Sequence, residues 1–155
     1  MKKYEFIGHT ADVRLKIEAD TPQELFQAAI EGMANLMKNG FCRRNVIPSP
    51  KANVIPRRSR RISAHIFEEE ISISSSDITS LLIDFMAEVL SRSQIEHLIF
   101  DRVEFRDFTE TSLKAKIFGE KVDQWDKDIK AVTYHEVDIK RDNKGNYWTI
   151  VVFDI

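Results

Sequence analysis

Polar and apolar positions alternate after Asp12: Val13, Leu15 and Ile17 fall on one side, and Arg14, Lys16 and Glu18 on the other. A period of two marks a half-buried strand, one face on a core and one in water. The next segment changes period. Thr21-Pro22-Gln23-Glu24 supplies a hydroxyl cap, a proline at the first helical position and a glutamate three residues after the cap. Leu25, Phe26, Ala29, Met33 and Met37 recur at spacings of three and four, which predicts a helix ending near Gly40.

Between residues 41 and 58 no period holds, and Pro48, Pro50 and Pro56 fall there, which predicts a long loop. From Arg61 to Ile73 the chain is strand-like again, with Ile62, Ala64 and Ile66 alternating before Glu68-Glu69-Glu70 and then Ile71 and Ile73. Ser75, Ser76 and Asp77 are all competent caps for a second helix, whose apolar stripe is Ile78, Leu81, Leu82, Phe85 and Val89. His97 to Arg106 and Ser112 to Gly119 read as paired strands around a polar turn at 107–111, and a polar connector carrying Trp125 follows over 121–130. Ala131–Lys140 and Tyr147–Asp154 are the last predicted strands, joined by the Asn- and Gly-bearing turn 141–146. Strand, helix, strand, helix and then a run of strands points to an α+β fold. The expected architecture is one domain over residues 1–155, a sandwich of two main helices packed on antiparallel sheet.

Charge narrows the partners. The 23 basic and 25 acidic side chains leave −2, so no bulk field draws the chain to nucleic acid or membrane. A single cysteine, Cys42, forms no internal disulfide and no thiolate zinc site. With no long apolar run and no signal-like N-terminus, the expectation is a cytoplasmic protein with no membrane partner.

The candidate chemistry is sparse. His9, His65, His97 and His135 are scattered, and none belongs to an HExxH or lies beside a GxSxG serine. There is no glycine-rich phosphate loop. Arg57, Arg58, Arg60 and Arg61 form a basic cluster that suits phosphate contact, or equally a charged strand edge that deters pairing. The two ends of the chain are more informative. Asp12 opens the first long strand, and Asp154 with the carboxylate of Ile155 closes the last. Together these would make an all-oxygen anionic set, the ligand chemistry of Ca²⁺ or Mg²⁺ rather than zinc. Spacing alone does not bring the two ends together, and an exposed aspartate at a chain end reads the same way.

At these residues the sequence resembles the archease family. YEFIGHTADVRLKIEADTPQELFQAA is similar to that family's opening, SLLIDFMAEVL to its second helix, and IKAVTYHEVDI with WTIVVFDI to its closing segment. The resemblance implies an α+β sandwich and a protein that is not itself an enzyme. It implies an activator of the GTP- and manganese-dependent RtcB-type RNA ligase of tRNA splicing and RNA repair. Such an activator promotes guanylylation of the ligase and its multiple turnover, and meets RNA indirectly through that partner. It also implies a metal site at Asp12, Asp154 and Ile155, with Ca²⁺ as the expected ion and Mg²⁺ or Mn²⁺ as alternatives. His9, Lys130 and His135 become candidate partner contacts. The chain departs from the pattern at Lys38-Asn39, where many relatives carry an acidic residue, and in the length of the 41–58 segment. The readings of other classes are a stand-alone RNA-binding module and a chaperone-like protein.

Overall fold

A computed structural model of the chain describes residues 2–7, 12–39 and 66–155. The chain order is β1 (Lys3–Ile7), β2 (Asp12–Ala19), α1 (Pro22–Asn39), β3 (Ile66–Ser74), α2 (Ile78–Glu96), β4 (Leu98–Phe108), β5 (Ser112–Lys121), β6 (Ala131–Thr133), β7 (Lys140–Arg141) and β8 (Tyr147–Asp154). Two antiparallel sheets result. One runs β1-β2-β8-β6 with β7 also on β8, and the other runs β3-β5-β4. This is the expected α+β arrangement of two helices on antiparallel sheet.

The helices begin where their caps predict. The Glu24 N–H donates to Thr21 Oγ1 at 3.2 Å at the start of α1. Of the three candidate caps before α2, Asp77 is the one used, accepting from the Ser80 N–H at 2.7 Å. Substituting such a cap by alanine costs about 1 kcal/mol. α2 ends at His97 in the left-handed region (φ 56), where its N–H donates to the Ser93 carbonyl. The His97 ring stacks on Trp125 with centroids 5.7 Å apart, so this histidine caps a helix instead of opening β4.

α1 ties the two sheets together. Its approach to β2 is close: a Cβ on Gly32 would lie 2.6 Å from Leu15 Cδ2, so the position admits only glycine without repacking. Toward the other sheet, Phe26 stacks on Phe85 of α2 at 5.7 Å and meets Phe108 of β4 edge-on at 5.0 Å. The register of β4 against β5 shifts between Phe100 and Arg102, which leaves backbone groups there off the ladder. Gln27 of α1 satisfies them, donating to the Asp101 carbonyl at 3.0 Å and accepting from the Val103 N–H at 2.7 Å. Lys38, at the departure from the family pattern, pairs with Asp101 at 3.2 Å and so serves the same junction.

Two elements differ from the sequence reading. β1 was not anticipated; it pairs with β2 through Tyr4 and Phe6, which pack against the core. The strand expected over 131–140 is two short pieces, β6 and β7, because the chain between them leaves the sheet for α2. There the Tyr134 hydroxyl donates to Asp84, and the Ile139 N–H donates to Thr79 Oγ1 at 3.2 Å. Glu136 turns the chain with a positive φ of 60°. The predicted loop over 41–58, Cys42, His65 and the Arg57–Arg61 cluster lie outside the described residues. Among the described residues no helix is long and apolar enough to cross a membrane.

One carboxyl on this framework titrates unusually. Glu69 of β3 faces α2, and burial, then its hydrogen bond and charge contact with Glu96, push it above the usual carboxylate range. Its folded value thus exceeds its unfolded one, so the folded state holds the extra proton. The associated stability is present at low pH and is lost as pH rises from about 4.5 through the folded value. Glu69→Gln is expected to raise the melting temperature at pH 7 and leave it near wild type at pH 4. Thermal melts across that range would refute the assignment if the difference between the proteins did not vary with pH.

Candidate functional site

β2 and β8 come from opposite ends of the chain and pair antiparallel along their whole length, from Ala19 opposite Tyr147 to Asp12 opposite Asp154. Burial decides which way each residue faces. Val13, Leu15 and Ile17 of β2, Val151 and Phe153 of β8 and Val132 of β6 enter the core. Alternation therefore turns Asp12, Asp154 and Ala131 to the other face, in one row across three strands. Directly opposed residues hold their Cβ atoms about 4.5–5.5 Å apart, so the two carboxylates are neighbours. Asp154 is exposed and Asp12 half-buried. The end of β8 is anchored, since the Lys130 N–H donates to the Asp154 carbonyl at 2.8 Å and Ile155 packs against the core.

The other expected contacts that are described collect at the same corner. Lys130 is exposed beside Asp154, and His135 is exposed just past the end of β6. His135 Nε2 lies 3.7 Å from Glu136 Oε1. Glu136 Oε2 in turn accepts from Arg14 NH1 at 2.8 Å. Arg14 stands two residues along β2 from Asp12 and on the same face, over the buried Val152. Tyr134 adjoins this group, but its hydrogen bond to Asp84 and its partial burial raise the phenol above its ordinary value, so it stays protonated. His9 lies outside the described residues.

Arg14 and Glu136 are the members of this corner that the sequence reading missed. The spacing of Arg14 from Asp12 was visible in the alternation. Glu136 carried no such signal, because a glutamate gives no hint of a left-handed backbone.

Two aspartates opposed across a ladder repel, and such pairs are destabilising unless something positive lies between them. Their chemistry suits a hard divalent cation. Among the described residues, however, no group of three or more His, Cys, Asp or Glu side chains could hold a metal ion. The described residues supply two side-chain carboxylates here, short of a full ligand set for such an ion.

Residues 4–155 match the sequence profile of the Archease protein family (MTH1598/TM1083). The chain belongs to the archease family. It is 29% identical over 162 residues to the protein archease of Pyrococcus abyssi, with all of both chains covered. It is 27% identical over 162 residues to that of Methanosarcina mazei, covering 99% of this chain and 97% of the relative. Its fold is similar to the solution structure of Methanobacterium thermoautotrophicum protein 1598, with a TM-score of 0.70, 23% identity and 98% of each chain covered. It is also similar to the crystal structure of an archease, possible chaperone, from Thermotoga maritima, with a TM-score of 0.60, 19% identity and 96% and 94% coverage. At these identities the two structures speak to the archease fold alone.

The opposed carboxylates carry a stability signature. Asp154→Asn is expected to raise the melting temperature in chelator, by an amount matching roughly 0.2–1 kcal/mol of relieved repulsion. A variant that melts at or below wild type in chelator would show that the pair does not repel.

Proposed function

We propose that this archease-family protein is a protein cofactor that activates an RtcB-type RNA ligase. In this reading it promotes guanylylation and repeated turnover of the ligase and makes no RNA bond itself. The observation that carries the proposal is the register of Asp12 against Asp154, in a chain whose residues 4–155 match the family. A carboxylate pair at a sheet end, short of a full ligand set, suits a role exercised on another protein, since an incomplete set is one a partner can complete.

In the proposed arrangement Asp12, Asp154 and the carboxylate of Ile155 hold a divalent cation, with Ca²⁺ favoured by the all-oxygen set and Mg²⁺ or Mn²⁺ as alternatives. A bound cation would supply positive charge that acidic groups of a partner can share. Lys130 and His135 stand exposed at the same corner, available to the partner or to phosphate. Any shift the protein imposes on the ligase can be no larger than its difference in affinity for the ligase's states.

A second reading rests on the Thermotoga maritima relative, described as a possible chaperone. Against it, the exposed large apolar side chains among the described residues are Ile7, Ile66, Phe67, Ile95 and Tyr134, spread over β1, β3, α2 and the segment after β6. A surface that captures unfolded clients offers a contiguous apolar patch.

A ligation time course with the cognate ligase below RNA concentration tests the proposal. Product is expected to pass one equivalent per ligase only when the protein is present. Asp12→Ala and Asp154→Ala should fold normally and lose about tenfold or more of the stimulation. Identical curves with and without the protein, on a ligase shown competent by single turnover, would end this reading.

A further inference from the structure

We infer that the outer face of the five-stranded sheet binds single-stranded RNA at Trp148, with a base stacked on the indole between Lys16 and Lys140. The choice of RNA as the strand rests on the ligase reading above. The surface itself is read from the sheet.

Alternation places Lys16, Glu18, Trp148, Ile150 and Lys140 on the face opposite the core, where antiparallel strands ordinarily carry polar residues. A tryptophan is out of pattern there. Trp148 is half-buried without entering the core, and two lysines lie over it, with Lys16 Nζ and Lys140 Nζ each 5.6 Å from the ring centroid. That is close to the outer limit of about 6 Å for a cation–π contact, so the lysines are lightly held. A flat ring that stacks on the indole can take their place, and a nucleobase is such a ring. The displaced ammonium groups then stand beside the base, within reach of the phosphates of its strand.

Charge favours the same occupant. Of the carboxylates on the neighbouring rungs, Glu18 is engaged by Lys3 at 2.6 Å and by Lys16 at 3.4 Å, and Glu5 lies two strands from Trp148 on β1. Among the described residues Lys140 pairs with no carboxylate. In the adjoining hairpin Asp142 is turned into its own loop, accepting from the Lys144 and Asn146 N–H groups at 2.8 and 2.9 Å. The far end of the face carries Asp12 and Asp154, which turn phosphate away and confine the strand to the Trp148 end. An acidic peptide would meet the lysines and leave the indole unused, and a duplex keeps its bases in its own stack. A single strand uses both the ring and the charges.

Fluorescence anisotropy of a labelled oligouridine of about a dozen nucleotides, at low ionic strength, tests this on the full chain alone. Trp148→Leu keeps apolar bulk and removes the aromatic face. Its affinity should fall about tenfold or more, whereas Trp148→Phe should stay within a few-fold of wild type. Lys16→Gln and Lys140→Gln should each weaken binding and lower the slope of log affinity against log salt by about 0.7, one phosphate contact's worth. Wild-type affinity in Trp148→Leu, or duplex RNA bound as tightly as the strand, would overturn the stacking. Tighter binding of oligodeoxyuridine, or displacement of the RNA by an equal concentration of polyglutamate, would overturn RNA as the occupant. A folded wild-type protein that binds no oligouridine would overturn the inference, and its continued stimulation of the ligase would leave the ligase reading intact. RNA binding without stimulation would do the reverse. Melting curves of the variants separate a lost contact from a lost fold.

Discussion

The antiparallel pairing of β2 with β8 is the constraint on which this architecture depends. It closes the chain by joining residues 12–19 to residues 147–154, and its register is enforced from the core side. Leu15, Ile17, Val151 and Phe153 are fully buried, with α1 pressed so close over Leu15 that a side chain at position 32 would force Leu15 to repack. A slip of one residue would drive Arg14, Lys16 and Glu18 inward, where unpaired charge is prohibitively expensive. The juxtaposition of Asp12 and Asp154 is therefore a consequence of packing several residues away. The core thus sets the two aspartates opposite one another.

The two sheets use charge in different ways. On the three-stranded sheet the exposed side chains are laddered across strands: Lys116 with Glu68 at 3.8 Å, and Arg106 with Glu70 at 3.4 Å. Arg102 lies over the Phe118 ring at 4.2 Å. Exposed pairs of this kind each contribute little, about 0–1 kcal/mol at most, and they leave a balanced, solvated surface. At the end of the other sheet like charges share a rung, and Arg14 pairs with Glu136 of the segment after β6. What separates the two surfaces is the arrangement of the charges, not their number.

Much of the framework was legible because it is locally encoded. The alternation of Val13, Leu15 and Ile17, the Thr21 cap and the Asp77 cap each specify their element within a few residues, and each appears in the structure. The break between β6 and β7 was not legible, since its causes are distant: Asp84 and Thr79 of α2 draw the chain out of the sheet at Tyr134 and Ile139. The candidate site lies between these cases. Asp12 and Asp154 could be named from the sequence, but only strand pairing brings them together, and that pairing spans the greatest sequence separation of any strand pair among the described residues. The family resemblance supplied what spacing could not. Glu136, whose place beside Arg14 goes with an unusual backbone angle, was beyond both.

Where a fold departs from its own rules is informative in itself, because consistency across levels is what lets a sequence specify a structure. Most of this chain is consistent: capped helices, alternating strands and an off-register backbone satisfied by Gln27. Three departures lie at one corner, whereas the positive φ at His97 serves a helix cap. A like-charged rung, a buried guanidinium nitrogen with no hydrogen bond among the described residues and a glutamate at φ 60° lie within a few residues of one another. The Glu69–Glu96 pair is a separate departure, but it is one that a proton relieves. The like-charged rung differs in that distant packing imposes it: Leu15, Ile17, Val151 and Phe153 fix the register, and Asp12 and Asp154 can separate only if that core gives way.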